Sequence, residues 1–90
     1  MKKPRLSDNW NLFNDKTFED KKYYLFNVTD GSIIKLNKIS YDILEKCNGD
    51  NSLENIKKQL LEKYEVNENE LENDIYNLLS MAETKSVLLF

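Results

Sequence analysis

The stretch NVTDGSIIKLNKISYDILEKCNGD, which runs from Asn27 to Asp50, decides the fold. Its first half predicts a strand, a turn and a returning strand, because Asp30 and Gly31 between two apolar runs form a strong hairpin signal. The spacing of the apolar residues then becomes helical, with Asn37 as the N-cap and Gly49 as the stop. The helical stripe consists of Ile39, Ile43, Leu44 and Cys47. The stretch therefore predicts strand, turn, strand and helix in direct succession.

Upstream of this stretch, Tyr23 to Val28 (YYLFNV) is the clearest strand signal, since every residue except Asn27 is aromatic or apolar. A weaker edge strand is predicted over Leu12 to Phe18, and FEDKK after it predicts a turn. Three strands in sequence order indicate a small antiparallel meander. Residues 1–11 carry lysines, a proline and polar residues, and predict a flexible N-terminal tail whose first anchor is Trp10.

Downstream, Ser52 and Asn67 are predicted to cap two more helices. Each helix carries an apolar stripe about 100° wide and has no internal Pro or Gly. The stripes are Leu53, Ile56, Leu60, Leu61 and Tyr64 in one helix, and Leu71, Ile75, Leu78, Leu79 and Ala82 in the other. The terminal SVLLF, residues 86–90, is predicted as either a strand or a packed tail.

Ninety residues form one small domain, which we place at residues 12–90. The charged fraction of 32% and hydrophobic fraction of 40% are typical of a globular protein. No apolar run approaches the roughly 18 residues that a membrane span requires. The single cysteine, Cys47, excludes an internal disulfide and fits a reducing compartment. We therefore expect a cytoplasmic protein without membrane contact.

The sequence contains no histidine and only one cysteine. A zinc site of the usual nitrogen and sulfur ligands and a nucleophile with its imidazole base are both excluded. The two glycines, Gly31 and Gly49, lie in the turn and after the first helix, so there is no glycine-rich phosphate loop. The carboxylates are predicted at exposed helix positions. We expect no catalytic activity, no cofactor and no metal site.

The predicted fold class is α+β and winged helix-turn-helix-like, with a three-stranded antiparallel sheet packed on three helices. Such a fold suggests DNA binding as a possible function, but the distribution of charges opposes it. No Lys or Arg lies between Asn67 and Glu83, and the acidic residues that open the third helix repel phosphates where a recognition helix enters the groove. They are Glu68, Glu70, Glu72 and Asp74. Two alternatives stay open: a small winged-helix DNA-binding regulator, and an interaction subunit of an enzyme complex that binds no leader peptide.

Recognition through the backbone is the remaining hypothesis. The strand from Ile33 to Leu36 has no proline and one charge, Lys35, so its outer edge is a template for an added peptide strand. Ile34 and Leu36 share one face and are predicted to fill the core. In the third helix, Ile75, Leu78 and Ala82 are predicted to face the core with Leu71, while Asp74 and Met81 lie on one shoulder of that face. Tyr76 is predicted at the surface.

The segment IIKLNKISYDILEKCNGDNSLENIKKQLLEKYEVNENELENDIYNLLSMA, from Ile33 to Ala82, resembles the PqqD-like family. These are the peptide chaperones, or RiPP recognition elements, of ribosomally made and modified peptides. The resemblance lies in a strand ending at Leu36 and Asn37, the helix YDILEKCNG, a Ser-led helix, and an acidic helix with Asp74 before Ile75. It departs from the family at Asn48, where Asp is common, and in the ending ETKSVLLF, which lacks Gly-Leu-Ile.

The resemblance implies a chaperone that captures the leader of a precursor peptide by β-strand addition. It presents that peptide to a modifying enzyme, most often a radical S-adenosylmethionine maturase, otherwise a cyclodehydratase, a dehydratase or a lasso-forming protease and cyclase. Relatives also form domain-swapped dimers, so a homodimer stays open. Carried onto this chain, the peptide-binding residues are Ile33, Ile34, Lys35 and Leu36 of the strand, and Asp74, Ile75, Leu78 and Met81 of the helix.

Overall fold

The computed structural model of the protein describes residues 3–15 and 21–90. Two antiparallel sheets and three helices form an α+β fold, which confirms the predicted fold class. One sheet has the strand order β2-β3-β4, and the other pairs β1 with β5. The elements are β1 (Arg5–Leu6), β2 (Trp10–Asp15), β3 (Lys22–Asn27), β4 (Ile33–Leu36), α1 (Lys38–Glu45), α2 (Leu53–Lys63), α3 (Glu68–Lys85) and β5 (Leu88–Leu89).

The hairpin between β3 and β4 forms where Asp30 and Gly31 predict it. The Asn27 amide donates to the Ser32 carbonyl over 2.8 Å, and the Gly31 amide donates to the Asn27 carbonyl over 2.9 Å. Gly31 has φ 79°, the left-handed conformation that glycine adopts without steric cost. The Asn27 side chain also accepts from the Thr29 amide over 2.8 Å. Local turn chemistry therefore fixes the register of β4.

All three predicted N-caps are confirmed. Asn37 accepts from the Ser40 amide in α1, Ser52 caps α2 by accepting from the Asn55 amide, and Asn67 does the same for the Asn69 amide in α3. Each cap satisfies one of the amides that a helix start leaves without an intrahelical partner. The first helix ends at Glu45, earlier than the predicted stop at Gly49.

The core lies between the inner face of the three-stranded sheet and the helices. The predicted core face of α3 is confirmed, because Leu71, Ile75, Leu78 and Ala82 are its buried residues. Leu25 of β3 and Ile56 of α2 are fully buried against them. Tyr76 is 71% exposed, as predicted. Within the described ranges, no helix is both long and apolar enough to cross a bilayer.

At the N-terminus the structure differs from the predicted flexible tail. Arg5 and Leu6 pair with Leu89 and Leu88, so SVLLF contributes a strand. The Leu6 amide donates to the Cys47 carbonyl over 3.0 Å, and Trp10, which is 5% exposed, begins β2. The prediction fails because the strand partners of Arg5 and Leu6 lie more than 80 positions away in the sequence, where no local pattern reveals them. The predicted turn FEDKK and the end of the predicted first strand fall largely on residues 16–20, outside the described ranges.

Candidate functional site

The candidate site begins at the strand β4, which lies at the edge of the three-stranded sheet. Its four residues, Ile33 to Leu36, pair with β3 on one side, Leu25 opposite Ile34 and Tyr23 opposite Leu36. In the part of the chain that the structure describes, no strand pairs with its other side. An edge of this kind exposes backbone groups that an added strand can use.

The register determines which backbone groups of β4 point outward. In an antiparallel pair, the residues that exchange hydrogen bonds alternate with residues whose N–H and C=O groups point away. Asn27 donates to Ser32 across the β3–β4 ladder, while Val28 donates to Asn9 on the other side of β3. Counting from Ser32, the backbone of Ile34 and Leu36 faces β3. The N–H and C=O groups of Ile33 and Lys35 therefore face outward.

The side chains of β4 divide in the same alternating way. Ile33 is 64% exposed and Lys35 is also exposed, both on the outer face of the sheet. Leu36 is buried and Ile34 is half-buried against the core, which confirms the prediction that these two fill it. A peptide strand at this edge would thus meet two outward backbone positions whose own side chains are already exposed.

The four predicted residues of α3 occupy different environments. Ile75 and Leu78 are buried in the core cluster that also contains Leu36. Asp74 is half-buried, and the half-buried Met81 packs against the core. Only Asp74 and Met81 of the four therefore keep substantial exposed surface.

Hydrogen bonds from Ser32 lower the pKa of Asp30, and the charge of Lys85 acts in the same direction. The Ser32 amide is one of these donors, at 2.8 Å from Asp30 Oδ1. These hydrogen bonds hold the turn from which β4 starts.

A buried carboxylate lies beyond the other end of β4, contrary to the prediction of exposed carboxylates. The Asp42 side chain is only 6% exposed. Its Oδ2 atom accepts a hydrogen bond from the Tyr64 hydroxyl and another from Lys63 Nζ at 3.3 Å, while Lys38 Nζ lies 3.6 Å away. Burial alone raises the pKa of Asp42, but these donors and charges outweigh it and the pKa is lowered. In α1, Asp42 is buried together with its neighbours Tyr41, Ile43 and Leu44.

A second feature that sequence reasoning missed is an apolar hollow on the outer face of the sheet, here called the outer hollow. Its volume is about 400 Å³. Its signal was YYLFNV itself, because an antiparallel strand with one solvated face normally alternates apolar and polar residues, and this run does not. The lining residues are Asn11, Leu12, Phe13, Tyr24, Phe26 and Ile33.

Two solved structures share this fold. One is described as TbiB1 in complex with the TbiA(beta) leader peptide; it has a TM-score of 0.72 and 18% identity, with 93% of each chain covered. The other is described as lasso peptide synthetase B1 complexed with the leader peptide. Its TM-score is 0.74 at 19% identity, and the match covers 98% of this chain and 99% of that one. At these identities the likeness concerns the fold alone.

The family of the protein is identified by a family model and not by a single related protein. No curated protein matches the chain. The model of the family described as coenzyme PQQ synthesis protein D (PqqD) matches residues 22–88. This range contains β3, β4, all three helices and the first residue of β5, well over half of the chain. The protein therefore belongs to the PqqD family.

Proposed function

We propose that the protein is a chaperone for the leader of a ribosomally made precursor peptide. The leader binds as an additional antiparallel strand on β4, and the protein presents the rest of the peptide to a modifying enzyme. The observation that carries this proposal is the outward N–H and C=O groups of Ile33 and Lys35 at an edge strand. The two similar structures support it, because both are described as complexes with leader peptides.

Strand addition at this edge provides both affinity and selectivity. The backbone groups of Ile33 and Lys35 offer up to about four hydrogen bonds to an antiparallel strand, each worth roughly 0.5–1.5 kcal/mol. The leader residues opposite Ile33 and Lys35 place their side chains on the outer face of the sheet. The residue between them points to the inner side, where we propose that Asp74 and Met81 receive it.

The full proposed site keeps the residues that the family resemblance implies. Ile33 and Lys35 supply the backbone edge, while Ile34 and Leu36 hold the strand on the core. On α3, Ile75 and Leu78 set the position of the helix from within the core.

We further propose that this chain performs no catalysis and binds no nucleic acid. Its partner enzyme in this proposal is a radical S-adenosylmethionine maturase, otherwise a cyclodehydratase, a dehydratase or a lasso-forming protease and cyclase. The proposal includes a cytoplasmic location, which the free thiol of Cys47 favours.

Proline substitution at the edge tests the proposal. Lys35→Pro removes an outward N–H without removing a hydrogen bond of the β3–β4 ladder, so the domain should fold. We expect it to weaken leader binding about tenfold or more, while Lys35→Ala stays within about threefold, because alanine keeps the amide. The measurement is fluorescence anisotropy with the labelled leader of the precursor encoded beside this gene. Circular dichroism checks folding.

Two further variants make the result decisive. Ile33→Pro removes the other outward amide and should act like Lys35→Pro. Ile34→Pro removes an amide that faces Leu25 and should destabilise the domain itself. If folded Lys35→Pro and Ile33→Pro variants bind the leader as tightly as the parent, strand addition at this edge is rejected. Partner-enzyme binding that is unaffected by leader would favour an interaction subunit instead.

A further inference from the structure

The outer hollow is an apolar surface that the leader-binding proposal does not use. Phe13 is 56% exposed, Phe26 36% and Ile33 64%, and Tyr24 is half-buried beside them. The rings of Phe13 and Tyr24 lie 6.2 Å apart between centroids. With roughly 150–250 Å² per aromatic side chain, these residues expose on the order of 300 Å² of apolar surface. A contiguous patch of this size on a small domain is often an interaction site.

A leader strand on β4 leaves most of this surface free. Neighbouring strands lie about 4.8 Å apart, so an added strand would lie about 10 Å from β3 and farther from β2. The rings of Phe13, Tyr24 and Phe26 belong to β2 and β3. The leader would therefore touch the hollow only at Ile33, which belongs to both surfaces.

The shape and size of the hollow argue against a second copy of this chain. A two-fold dimer brings the same patch of both copies together, and two concave surfaces do not fill one another. A stable dimer also buries about 800 Å² on each partner, well above the exposed apolar area of this patch. A small-molecule ligand is disfavoured as well. The polar side-chain groups of the lining are the Asn11 amide and the Tyr24 hydroxyl, and ligand sites usually hold their ligand with several convergent polar groups.

We propose that the outer hollow is the docking surface for the peptide-modifying enzyme, which inserts a large apolar side chain into it. This inference rests on the proposed leader binding. Because Ile33 borders both the hollow and the leader edge, a docked enzyme would lie directly beside the bound peptide. The modest area fits a transient contact that releases the modified product.

The test uses Phe13→Thr combined with Phe26→Thr, which removes both rings and keeps residues that favour strands. The full-length protein is immobilised, saturated with the leader, and exposed to the purified modifying enzyme encoded beside the precursor gene. We expect enzyme binding to weaken at least about tenfold while leader binding stays within about threefold. Tyr76→Ala is the matched control, because Tyr76 is the most exposed aromatic residue that the structure describes and lies on α3; it should change neither affinity.

The outcomes separate this inference from the proposed function. If the parent fails to bind the leader, the proposed function fails. If the parent binds the leader but the double variant binds the enzyme as tightly as the parent, the docking inference is wrong. If the double variant loses leader affinity, the hollow binds the peptide. If sedimentation velocity shows a dimer of the parent that the double variant does not form, the hollow binds a second copy of the chain. Either result overturns the proposal. Should the double variant be unfolded by circular dichroism, Phe13→Thr alone provides the same comparison.

Discussion

Asp42 joins two helices through a single carboxylate. It lies in α1, and its hydrogen-bond donors Tyr64 and Lys63 lie at the end of α2. Lys38 approaches from the first turn of α1, and its Nζ atom lies 5.6 Å from the centroid of the Tyr23 ring in β3. A hydrogen bond with the Tyr64 hydroxyl raises the pKa of Lys38, and the Asp42 charge contributes to this rise. The cluster therefore fixes α1, which follows β4 directly, against α2.

Asp42→Asn should destabilise the domain by roughly 1–3 kcal/mol at pH 7, since it removes a buried charge that two hydrogen-bond donors and the Lys38 ammonium group surround. The measurement is urea unfolding followed by circular dichroism. Glu45→Gln provides the matched control: it makes the equivalent change on the same helix at an exposed position and should alter stability by less than about 0.5 kcal/mol. Equal stability of the parent and Asp42→Asn would show that the cluster does not stabilise the fold.

The same pair of variants predicts a pH dependence. The pKa of Asp42 is lowered from its usual value of 3.8 in the folded protein, so the unfolded chain takes up the proton first as the pH falls. The stabilisation is present above the unfolded-state pKa and is lost as the pH falls through the folded-state pKa. We expect the stability difference between the parent and Asp42→Asn to shrink as the pH is lowered from about 5 through this range. A difference that is constant with pH would contradict the lowered pKa.

At the scale of elements, the N-terminal strand β1 and the residues beside it connect distant parts of the chain. Besides its pairing with β5, it receives a hydrogen bond from Gly49 to the Pro4 carbonyl over 3.0 Å, and its Leu6 amide donates to Cys47. Next to it, Ser7 donates to the carbonyl of Val87, whose side chain is fully buried. Residues 4–7 thus tie the end of α1 to the C-terminal strand.

Deleting residues 1–6 should therefore lower the free energy of unfolding by at least about 2 kcal/mol, from the lost hydrogen bonds and the exposed core margin. Thermal denaturation followed by circular dichroism measures this. Arg5→Ala is the control that keeps the backbone; its ion pair with Asp8 is exposed, so its cost should stay below about 1 kcal/mol. A deletion variant as stable as the parent would restore the flexible tail that the sequence predicts.

The elements that could be predicted from the sequence are those with a local cause. The caps Asn37, Ser52 and Asn67 predict helix starts, because each capping side chain and its amide partner lie within three residues of each other. Asp30 and Gly31 predict the hairpin in the same way, because the contacts that form the turn are local in sequence. The pairing of Arg5 with Leu89 has no such local cause, since two-residue strands carry no period and their partners are distant in sequence.

At the scale of the whole molecule, the position of the candidate edge could be predicted from the sequence. Which of its backbone groups point outward could not. The pattern IIKL places Ile34 and Leu36 on the core. Which amides of that strand face outward depends on the hydrogen bond from Asn27 to Ser32, a detail of the turn that composition does not encode. This register leaves the N–H and C=O groups of Ile33 and Lys35 as the ones that point outward. The proposed contribution of α3, through Asp74 and Met81, was harder to predict, because periodicity gives the buried face of a helix and not which half-buried residues beside it would contact a bound peptide.

Together, the two proposals give the molecule two working surfaces on one sheet. We propose that its edge offers backbone groups to a peptide and that its outer face offers apolar side chains to a protein. The core residues behind them, among them Leu25 and Leu36, are shared by both surfaces. The proposed role of the outer face depends on the edge, because it requires a peptide held beside it.

Amide hydrogen exchange measured by NMR, with and without the cognate leader, tests the edge most directly. We predict that the amides of Ile33 and Lys35 exchange much more slowly once the leader saturates the protein, because they become hydrogen bonded. The amides of Ile34 and Leu36, which face β3, should already be slow in the free protein. If the leader is bound, as anisotropy reports independently, and the amides of Ile33 and Lys35 exchange as fast as in the free protein, the peptide does not add to β4.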